Sequence, residues 1–573
     1  MARQLELLGG QPIAAAPPIA GAVAPVAPVA VALNGHSNGN GHSNGNGKST
    51  NSDRDLATST SAGPSPGAKI SKTIDNSLSV EQQQALAAIV DRYVAKTKES
   101  KRQAQAHRRY LADPRTVSGF TPLLKEMVYP IVTDRAQGAR LWDEDGNEYI
   151  DLTNGFGLNF FGWSPDFVTN ALKAQLDKGM AIGPQTPLAG KVAKKIAHLT
   201  GMERVAFCNT GSEAVMAALR IARTVTGKDL VAIFAGSYHG TFDEVLFRAG
   251  PNLKTFPSAP GVMASALENI IVLDYDSPKS LEIIREYADR LAAVIVEPVQ
   301  SRHPNLQPQA FLREVRSITA RSEIALIIDE VITGFRVAPG GAQAHFGVKA
   351  DIATYGKVVG GGMPIGILTG SSKYMDALDG GFWQFGDRSI PEVGVTFFAG
   401  TFVRHPLALA AVDAILDKLQ AGGAELQQSL TTKTQQLVDR LVAHFRSVGV
   451  QIEIEHFSSL FYLMFAPTEN YGGLLFYLLR ERGIHIWENR PCFLTLAHTD
   501  ADLDEIVWAF QVCIAELQAS GFLTSSAAAI AINHNLPPQP GAKLGKDRDG
   551  NPAWFVTDPD RAGKYLQIDT SVL

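Results

Sequence analysis

The chain has 573 residues, of which 45% are hydrophobic and 19% charged, and its formal net charge is −5. The length exceeds that of one ordinary domain, so we expect several structural units. The slightly acidic balance gives no electrostatic reason to expect nucleic acid or an anionic membrane as a partner. The three cysteines, Cys208, Cys492 and Cys513, form no CxxC pair. This argues against a metal site or a disulfide framework and suits the reducing cytoplasm.

The first 78 residues are rich in Ala, Pro, Gly and Asn, and the hexapeptide GHSNGN occurs twice in tandem at 35–46. Such a composition buries too little apolar surface to offset chain entropy, so we expect a disordered linker. The apolar run at 19–33 contains two prolines and lacks a strongly basic start. It is therefore interpreted as linker, and not as a signal peptide or a membrane span.

Regular structure is expected from Ser79 onwards. Ser79 and Gln82 have the spacing of a capping box, and a charged helical pattern follows to about Arg109. The run ARLWDEDGNEYIDL at 139–152 predicts a hairpin that turns at Asp-Gly. Residues 79–170 thus form a predicted segment of helix and hairpin.

Residues 171–404 predict an α/β large domain with a mostly parallel sheet between helices. Short apolar runs alternate there with helical stretches, and the runs lie at 205–208, 230–234, 292–298, 324–329 and 365–370. Residues 405–522 predict a smaller α+β domain, to which the N-terminal part also contributes. Its predicted elements are helices near 424–446, 474–482 and 501–518 and strands near 451–465. Residues 523–573 are expected to be a second linker.

Lys357 lies in TYGKVVGGGMPIG, between an apolar run and three glycines. An apolar setting disfavours the charged ammonium, which lowers its pKa and frees the amine for Schiff-base chemistry. Asp329 ends the run IALII, at the edge of a parallel sheet where ligands bind. A carboxylate there could hold the pyridine nitrogen of pyridoxal 5′-phosphate (PLP) protonated. The alternatives are a surface lysine beside a turn and an aspartate that caps a helix.

A phosphate site is predicted at NTGSEAVMAALR (209–220), which follows an apolar run and opens a helix. Gly211 and Ser212 would present N–H groups and a hydroxyl at the helix N-terminus, which favours a dianion. The alternative is an ordinary N-cap in which Ser212 is the capping residue.

Further cofactor contacts are expected from five residues, each weak alone. Tyr238 and His239 follow an apolar run in GSYHG, where an aromatic side chain could stack on the pyridine ring. Gln300 in VEPVQ could reach the ring hydroxyl, and Val331 could pack on the ring face. Thr401 in GTFVRHP is a second candidate phosphate ligand. Structural roles are the alternative for each.

Together these motifs resemble the class III, fold-type I PLP-dependent aminotransferases, and glutamate-1-semialdehyde aminomutase in particular. The resemblance covers about residues 115–520, and its most specific part is IIDEVITGFR followed by Lys357, 28 residues after Asp329. It implies that Lys357 is the Schiff-base lysine and proton-transfer base, and that Asp329 pairs with the pyridine nitrogen. It also implies that Tyr238 stacks on the ring and that Gly211 and Ser212 bind phosphate.

The resemblance further implies a homodimer, in which Thr401 binds the phosphate of the neighbouring subunit's cofactor. Several motifs are more specific: LADPRTVSGF, GFGLNFFGWSP, IGPQTPLAG, ALDGGFWQFGD and VTFFAGTFVRHPLALAA. They are similar to aminotransferase domains of hybrid polyketide–nonribosomal peptide synthases of the iturin/mycosubtilin and microcystin type. The flanks resemble the end of a carrier-protein domain and the lead-in to a condensation domain. The chain is therefore expected to be a segment of a longer megasynthase.

This similarity implies that a β-keto acyl thioester on the phosphopantetheine arm of an acyl carrier protein is converted to the β-amino acyl thioester. An amino acid such as glutamate or glutamine would be the donor. One alternative is a free-standing aminotransferase or aminomutase on a small molecule, against which the long flanks argue. Another is a catalytically silent docking module, against which Lys357 and Asp329 argue. Arg302 and Arg336 could bind a donor carboxylate, but surface or structural roles fit them equally well.

Overall fold

A computed structural model of the chain describes residues 77–117, 120–526, 536–559, 561 and 563–568. The linker predicted for residues 1–78 lies outside the described residues except for its last two positions. Within the described ranges, no helix combines the length and the apolar character needed to cross a bilayer.

The α-helices of the described residues follow one another along the whole chain. They are α1 (Val80–Lys96), α2 (Lys98–His107), α3 (Asn154–Gly157), α4 (Asp166–Lys178), α5 (Pro187–Thr200), α6 (Gly211–Thr226), α7 (Pro278–Glu286), α8 (Gln309–Arg321), α9 (Gly341–Phe346), α10 (Ser372–Met375), α11 (Pro406–Gly422), α12 (Glu425–Val448), α13 (Leu474–Glu481) and α14 (Asp500–Ala519).

The strands of the described residues form five separate sheets. They are β1 (Thr133–Gln137), β2 (Arg140–Asp143), β3 (Glu148–Asp151), β4 (Arg204–Cys208), β5 (Leu230–Phe234), β6 (Phe247–Ala249), β7 (Thr255–Pro257), β8 (Ile270–Leu273), β9 (Leu291–Val296), β10 (Ala325–Asp329), β11 (Ile352–Tyr355), β12 (Gly366–Gly370), β13 (Ile452–Phe457), β14 (Leu460–Phe465), β15 (Ile484–His485), β16 (Cys492–Phe493), β17 (Lys543–Lys546), β18 (Pro552–Thr557) and β19 (Tyr565–Gln567).

The large domain is built on a seven-stranded sheet of order β4-β12-β11-β10-β9-β5-β8. Strands β8, β5, β9, β10 and β11 run parallel, and β12 is antiparallel to both its neighbours. Every residue of β5, β9 and β10 is buried. Helices cover both faces of such a sheet, which is why these strands read as continuous apolar runs. The predicted α/β fold with a mostly parallel sheet is confirmed.

The N-terminal segment has the predicted capping box and hairpin. The amide of Gln82 donates to Oγ of Ser79 over 3.2 Å, and the amide of Ser79 donates to Oε1 of Gln82 over 3.0 Å. The long helix expected to reach Arg109 is instead two helices, which meet at Thr97. Thr97 is fully buried, and its hydroxyl donates to the carbonyl of Tyr93, four residues earlier. Such a bond competes with the helical hydrogen bonds, which explains why the helix is interrupted here.

The smaller domain joins both ends of the described chain. Strand β15, from the C-terminal part, pairs with β3 of the N-terminal hairpin through Ile484 and Ile150. Strands β13, β14 and β16 form an antiparallel sheet. Helices α12, α13 and α14 fall close to their predicted positions.

Three short strands lie within the segment predicted as a second linker. Strands β17, β18 and β19 form an antiparallel sheet. The turn between the first two is closed by Oδ1 of Asp547, which accepts the amides of Asp549 and Asn551 over 2.9 Å each. The tight Asp-Gly-Asn turn was the available sequence signal for this hairpin. Trp508 of α14 donates its indole N–H to the carbonyl of Pro537, which ties this region to the smaller domain.

Candidate active site

A cavity of about 430 Å³ lies at the carboxyl edge of the seven-stranded sheet. Loops after five of its strands reach this edge and carry polar side chains into one place. The lining includes Ser212 after β4, Tyr238 after β5, Glu297 after β9, Asp329 at the end of β10 and Lys357 after β11. The N-terminal segment adds part of the wall through Gly155 and Leu158.

Lys357 follows β11 after a single glycine and opens a short 3₁₀ turn, Lys357–Gly360. Its φ of +44° lies in the left-handed region, which costs a non-glycine residue about 1–2 kcal/mol. Burial lowers the pKa of its ammonium, against the opposing attraction of Asp329 and Glu297. The backbone of Lys357 is therefore strained. Its buried amine loses its proton more readily than that of a surface lysine.

Asp329 is 5% exposed and is held from three directions. Its Oδ1 accepts the amide of Val331 over 3.1 Å and the hydroxyl of Thr354 over 3.0 Å. The second contact follows from the register, since Asp329 and Thr354 are partners in the β10–β11 ladder. Nδ1 of His239 lies 2.7 Å from Oδ2 of Asp329. The carboxylate is therefore fixed in orientation at the cavity wall.

The N-terminus of α6 faces the same cavity through Gly211 and Ser212. Their amides are the first two of the helix, where N–H groups have no intrahelical acceptor. The helix is capped by Thr210, whose Oγ1 accepts the amide of Glu213 over 3.2 Å. The alternative in which Ser212 is the cap is therefore wrong. A Cβ at Gly211 would lie 2.9 Å from Cγ2 of Val331, so only glycine allows this close approach.

A family model of aminotransferase class III matches residues 124–511, about two thirds of the chain. The chain belongs to the class III aminotransferases. The glutamate-1-semialdehyde 2,1-aminomutase of Archaeoglobus fulgidus is 36% identical over 398 residues, which cover 66% of this chain and 92% of that relative.

Solved structures agree with this family. A transaminase with PLP bound superposes with a TM-score of 0.65 at 26% identity, covering 74% of this chain and 99% of the other. A β-phenylalanine aminotransferase from Variovorax paradoxus gives a TM-score of 0.65 at 27% identity, covering 78% and 100%. This class III aminotransferase therefore uses PLP, as the sequence analysis predicted.

The residues present fit that cofactor. Within the described residues, Nε2 of His239 is buried without a hydrogen-bond partner, although its Nδ1 is bonded to Asp329. A buried polar atom without a hydrogen-bond partner destabilises the folded chain unless a ligand supplies that partner. The free amides at Gly211 and Ser212 suit a phosphate dianion. Lys357 would hold the aldehyde carbon, and Asp329 would face the ring nitrogen.

Two of the residues predicted to contact the cofactor are not part of the cavity lining. Gln300 is outside the cavity lining, and its Nε2 donates to the carbonyl of Ala235 over 2.7 Å. Thr401 is exposed and also outside the lining. Its predicted role concerns the neighbouring subunit's cofactor, so a single chain does not test it.

Glu297 is the buried acid that the sequence analysis passed over. It is 4% exposed, lines the cavity and follows β9 directly. Burial raises its pKa to about 7, against the attraction of His239. The available signal was the same strand-end position that singled out Asp329.

Arg336, a candidate for a donor carboxylate, is 1% exposed and structural. It donates to Oγ of Ser459 over 2.7 Å and to the carbonyls of Gly157 and Asn159. Its guanidinium also lies 4.9 Å from the ring centre of Phe493. Burial without an acid partner lowers the pKa of Arg336 to about 9. These bonds join the N-terminal segment to the smaller domain, and Arg336 is not part of the cavity lining.

Proposed function

We propose that this aminotransferase converts a β-keto acyl thioester, held on the phosphopantetheine arm of an acyl carrier protein, to the β-amino acyl thioester. The observation that carries the proposal is the run of motifs, from LADPRTVSGF to VTFFAGTFVRHPLALAA, that resembles aminotransferase domains of hybrid synthases. A β-phenylalanine aminotransferase among the structural neighbours supports chemistry at a β-amino carbon. The linker composition of residues 1–78 suits delivery of a tethered substrate, because tethering raises its effective concentration.

The side chains divide the work of the reaction among them. Bound PLP supplies a carbon that takes up the amino group and a cationic ring that accepts the electron pair left when a proton is removed. Lys357 would move that proton from the α-carbon of the donor to the cofactor carbon that takes up the amino group, as general base and then general acid, and would reverse this transfer towards the β-carbon of the acceptor in the second half-reaction. Its lowered pKa makes the neutral amine accessible.

The remaining residues orient the cofactor and enclose the cavity. Asp329, fixed by His239 and Thr354, keeps the ring nitrogen protonated. The N-terminus of α6 holds the phosphate, so the reacting carbon stays at a constant distance from Lys357. Tyr238 and Val331 line the cavity and limit water at the ring.

A homodimer is part of the proposal. Between residues 380 and 403 the chain contains no helix or strand, and several large apolar side chains are exposed. Phe382, Phe385 and Phe397 have exposed fractions of 87%, 92% and 76%. A second copy of the chain that covers this segment would also bring Thr401 towards the partner subunit's phosphate site. We place the assembly in the cytoplasm, since the few cysteines suit a reducing compartment.

The test uses the purified protein loaded with PLP. Candidate donors are added one at a time, and conversion to pyridoxamine phosphate is followed by absorbance. The aminated enzyme is then given a β-keto acyl chain on its carrier protein, and the product is analysed by mass spectrometry. Amination of the carrier-bound chain well above that of the free keto acid supports the proposal. Equal or better use of the free acid contradicts it.

A second candidate is a free-standing aminotransferase or an aminomutase of the glutamate-1-semialdehyde type. The 36% identity to the Archaeoglobus fulgidus aminomutase favours it. An aminomutase exchanges nitrogen within one substrate, whereas a transaminase releases a 2-oxo acid from its donor. Formation of 5-aminolevulinate from glutamate-1-semialdehyde, without any added donor, would establish this candidate in place of the first.

A further inference from the structure

Residues 98–115, called here the cationic segment, carry a positive charge in a chain that is acidic overall. The segment holds six Lys or Arg and two Asp or Glu, a formal charge of +4, whereas the whole chain has −5. It runs from α2 into a short 3₁₀ turn, Pro114–Val117. Its basic residues are Lys98, Lys101, Arg102, Arg108, Arg109 and Arg115.

Two of these cations have no partner. Three of the six form ion pairs with neighbouring carboxylates. The guanidiniums of Arg108 and Arg109, in the turn after α2, have neither an ion pair nor a hydrogen bond within the described part of the chain. Tyr110 and Leu111 follow them and are 85% and 63% exposed. Arginine and aromatic side chains exposed together are typical of a protein–protein interface.

The cationic segment leads to the border of the cofactor cavity. The guanidinium of Arg115 lies 5.3 Å from the ring centre of Trp487. The ring centres of Trp487 and Phe156 are 5.4 Å apart, with the rings edge to face. Phe156 lies in the chain between Gly155 and Leu158, which both line the cavity. Phe156 is itself partly exposed, so this wall of the cavity reaches the surface beside the cationic segment.

A carrier-bound substrate brings a negative charge to such a border. Phosphopantetheine is joined to its carrier through a phosphodiester, which is anionic at neutral pH. This anion lies at the carrier end of the arm, while the acyl thioester at the other end has to reach Lys357. The order of the groups in the enzyme matches, with Arg108 and Arg109 outside and Lys357 inside. Arginine forms strong, charge-assisted hydrogen bonds with phosphate oxygens.

The predicted tether leads to the same part of the chain. The linker composition of residues 1–78 is followed directly by α1, and α1 by α2. Helix α1 has 17 residues and spans about 25 Å at 1.5 Å per residue. A carrier domain joined through this linker would have a raised concentration near the cationic segment, so that a small contact surface suffices.

We propose that Arg108, Arg109, Tyr110 and Leu111 form the docking surface for the acyl carrier protein. The two arginines pair with the phosphodiester and with carboxylates beside it, and the carrier covers the two apolar side chains. This inference rests on the proposed function and adds the surface through which its partner binds.

The test uses the full chain loaded with PLP and two acceptors that share one β-keto acyl chain. One acceptor is the chain on its carrier protein, and the other is the same chain on free pantetheine, which lacks both the carrier and the phosphodiester. The variants are Arg108→Glu and Arg109→Glu, singly and together, with Arg108→Lys as the conservative replacement. Arg446→Glu is the matched control, since Arg446 is an exposed arginine on α12.

Each Glu variant should lower kcat/KM for the carrier-bound acceptor roughly tenfold, through KM, because repulsion replaces attraction. The double variant should lose more. The half-reaction with the amino donor and the use of the pantetheine thioester should stay at the wild-type level. Arg108→Lys should retain most of the carrier activity, and Arg446→Glu all of it. Added salt should lower the wild-type kcat/KM for the carrier and have less effect on the double variant.

Three results would overturn the docking surface. One is an unchanged KM for the carrier-bound acceptor in the double variant. Another is an equal loss with the pantetheine thioester, which would show that the arginines shape the cavity. A third is a raised dimer dissociation constant in the double variant, which would assign the surface to a second copy of the chain. A wild type that aminates the free keto acid as well as the carrier-bound chain would refute the proposed function itself, before the variants are compared.

Discussion

The inner wall of the cavity and the exposed segment at residues 380–403 differ in whether their side chains find partners within a single chain. In the wall, Asp329 has three protein partners and Glu297 accepts two amides. In the exposed segment, Phe385 is 92% exposed and Phe397 is 76% exposed. The acids in the wall therefore find their partners within one chain, whereas the segment at residues 380–403 leaves apolar rings exposed.

The two regions follow from the same physical rule applied to different groups. A buried polar group without a partner costs about 1–3 kcal/mol, so the acids in the wall are satisfied internally. An exposed phenyl ring forgoes about 1.5–3 kcal/mol of burial. Several such rings in one segment are typical of an interface. Four substitutions test this contrast, and the largest change is expected at Lys357.

Replacement of Lys357 by alanine should have the largest effect. We expect kcat to fall by at least roughly 10²–10⁴-fold, since the general base is lost. The visible absorbance of the enzyme-bound cofactor should also change, because the imine with the protein is lost. Steady-state kinetics and absorbance spectra check both. Lys349→Ala, which replaces an exposed lysine, is the control. A Lys357→Ala enzyme that stays active would show that another amine carries the reaction.

Replacement of Asp329 by asparagine keeps the shape of the side chain but removes its charge. The ring nitrogen would no longer be held protonated, and we expect a loss of the half-reaction rate on the order of 10²-fold. Rapid-mixing absorbance measures this rate separately from cofactor binding. Asp289→Asn replaces an exposed aspartate and should change nothing. A full rate in Asp329→Asn would show that the acid has only a structural role.

Replacement of Phe385 by glutamate should weaken the proposed dimer. A charge in place of a buried phenyl ring should raise the dimer dissociation constant roughly tenfold to hundredfold. Analytical ultracentrifugation over a concentration series measures it. Leu544→Glu, also an exposed apolar residue but on β17, is the matched control. A wild type that is monomeric at micromolar concentration contradicts the assembly.

Replacement of Glu297 by glutamine should change the pH dependence of stability, in addition to a pH-independent loss, because an amide side chain can accept only one of the two amide hydrogen bonds that the carboxylate accepts. Burial raises the pKa of Glu297 to about 7, from an ordinary value of 4.5. Between these values the folded chain holds a proton that the unfolded chain has released. The free energy of unfolding therefore falls as pH rises through this window, by at most about 3 kcal/mol. Lys357, whose pKa is lowered, acts in the opposite direction.

Comparison of the two proteins isolates the contribution of Glu297. Urea unfolding of cofactor-free wild type and Glu297→Gln is measured from pH 5 to pH 8. The difference between them should grow as the pH rises, because the variant has no proton to lose. Parallel pH profiles would show that Glu297 ionises normally.

The sheet was predictable because its strands are buried on both faces and read as apolar runs. The carboxyl ends of parallel strands lie at one edge, so Lys357, Asp329 and Gly211 could be assigned to one site from order alone. The break at Thr97 was not predictable, since it depends on contacts with Tyr93 and other parts of the chain. Side-chain direction after a strand is not predictable from the sequence either, so the strand-end signal does not identify Glu297 as part of the cavity wall.

The pairing of Asp329 with His239 could not be predicted from the sequence either. The two residues are 90 positions apart and meet only because β5 and β10 flank β9 in the sheet. Sequence order identifies which strand end carries a group, whereas strand order decides which groups face each other.

Reductive trapping tests whether PLP is bound covalently to Lys357. The PLP-loaded protein is reduced with borohydride, digested and mapped by mass spectrometry. We expect the reduced cofactor on the peptide that contains Lys357 and nowhere else. Attachment to another lysine, or no attachment, would contradict the account of the site.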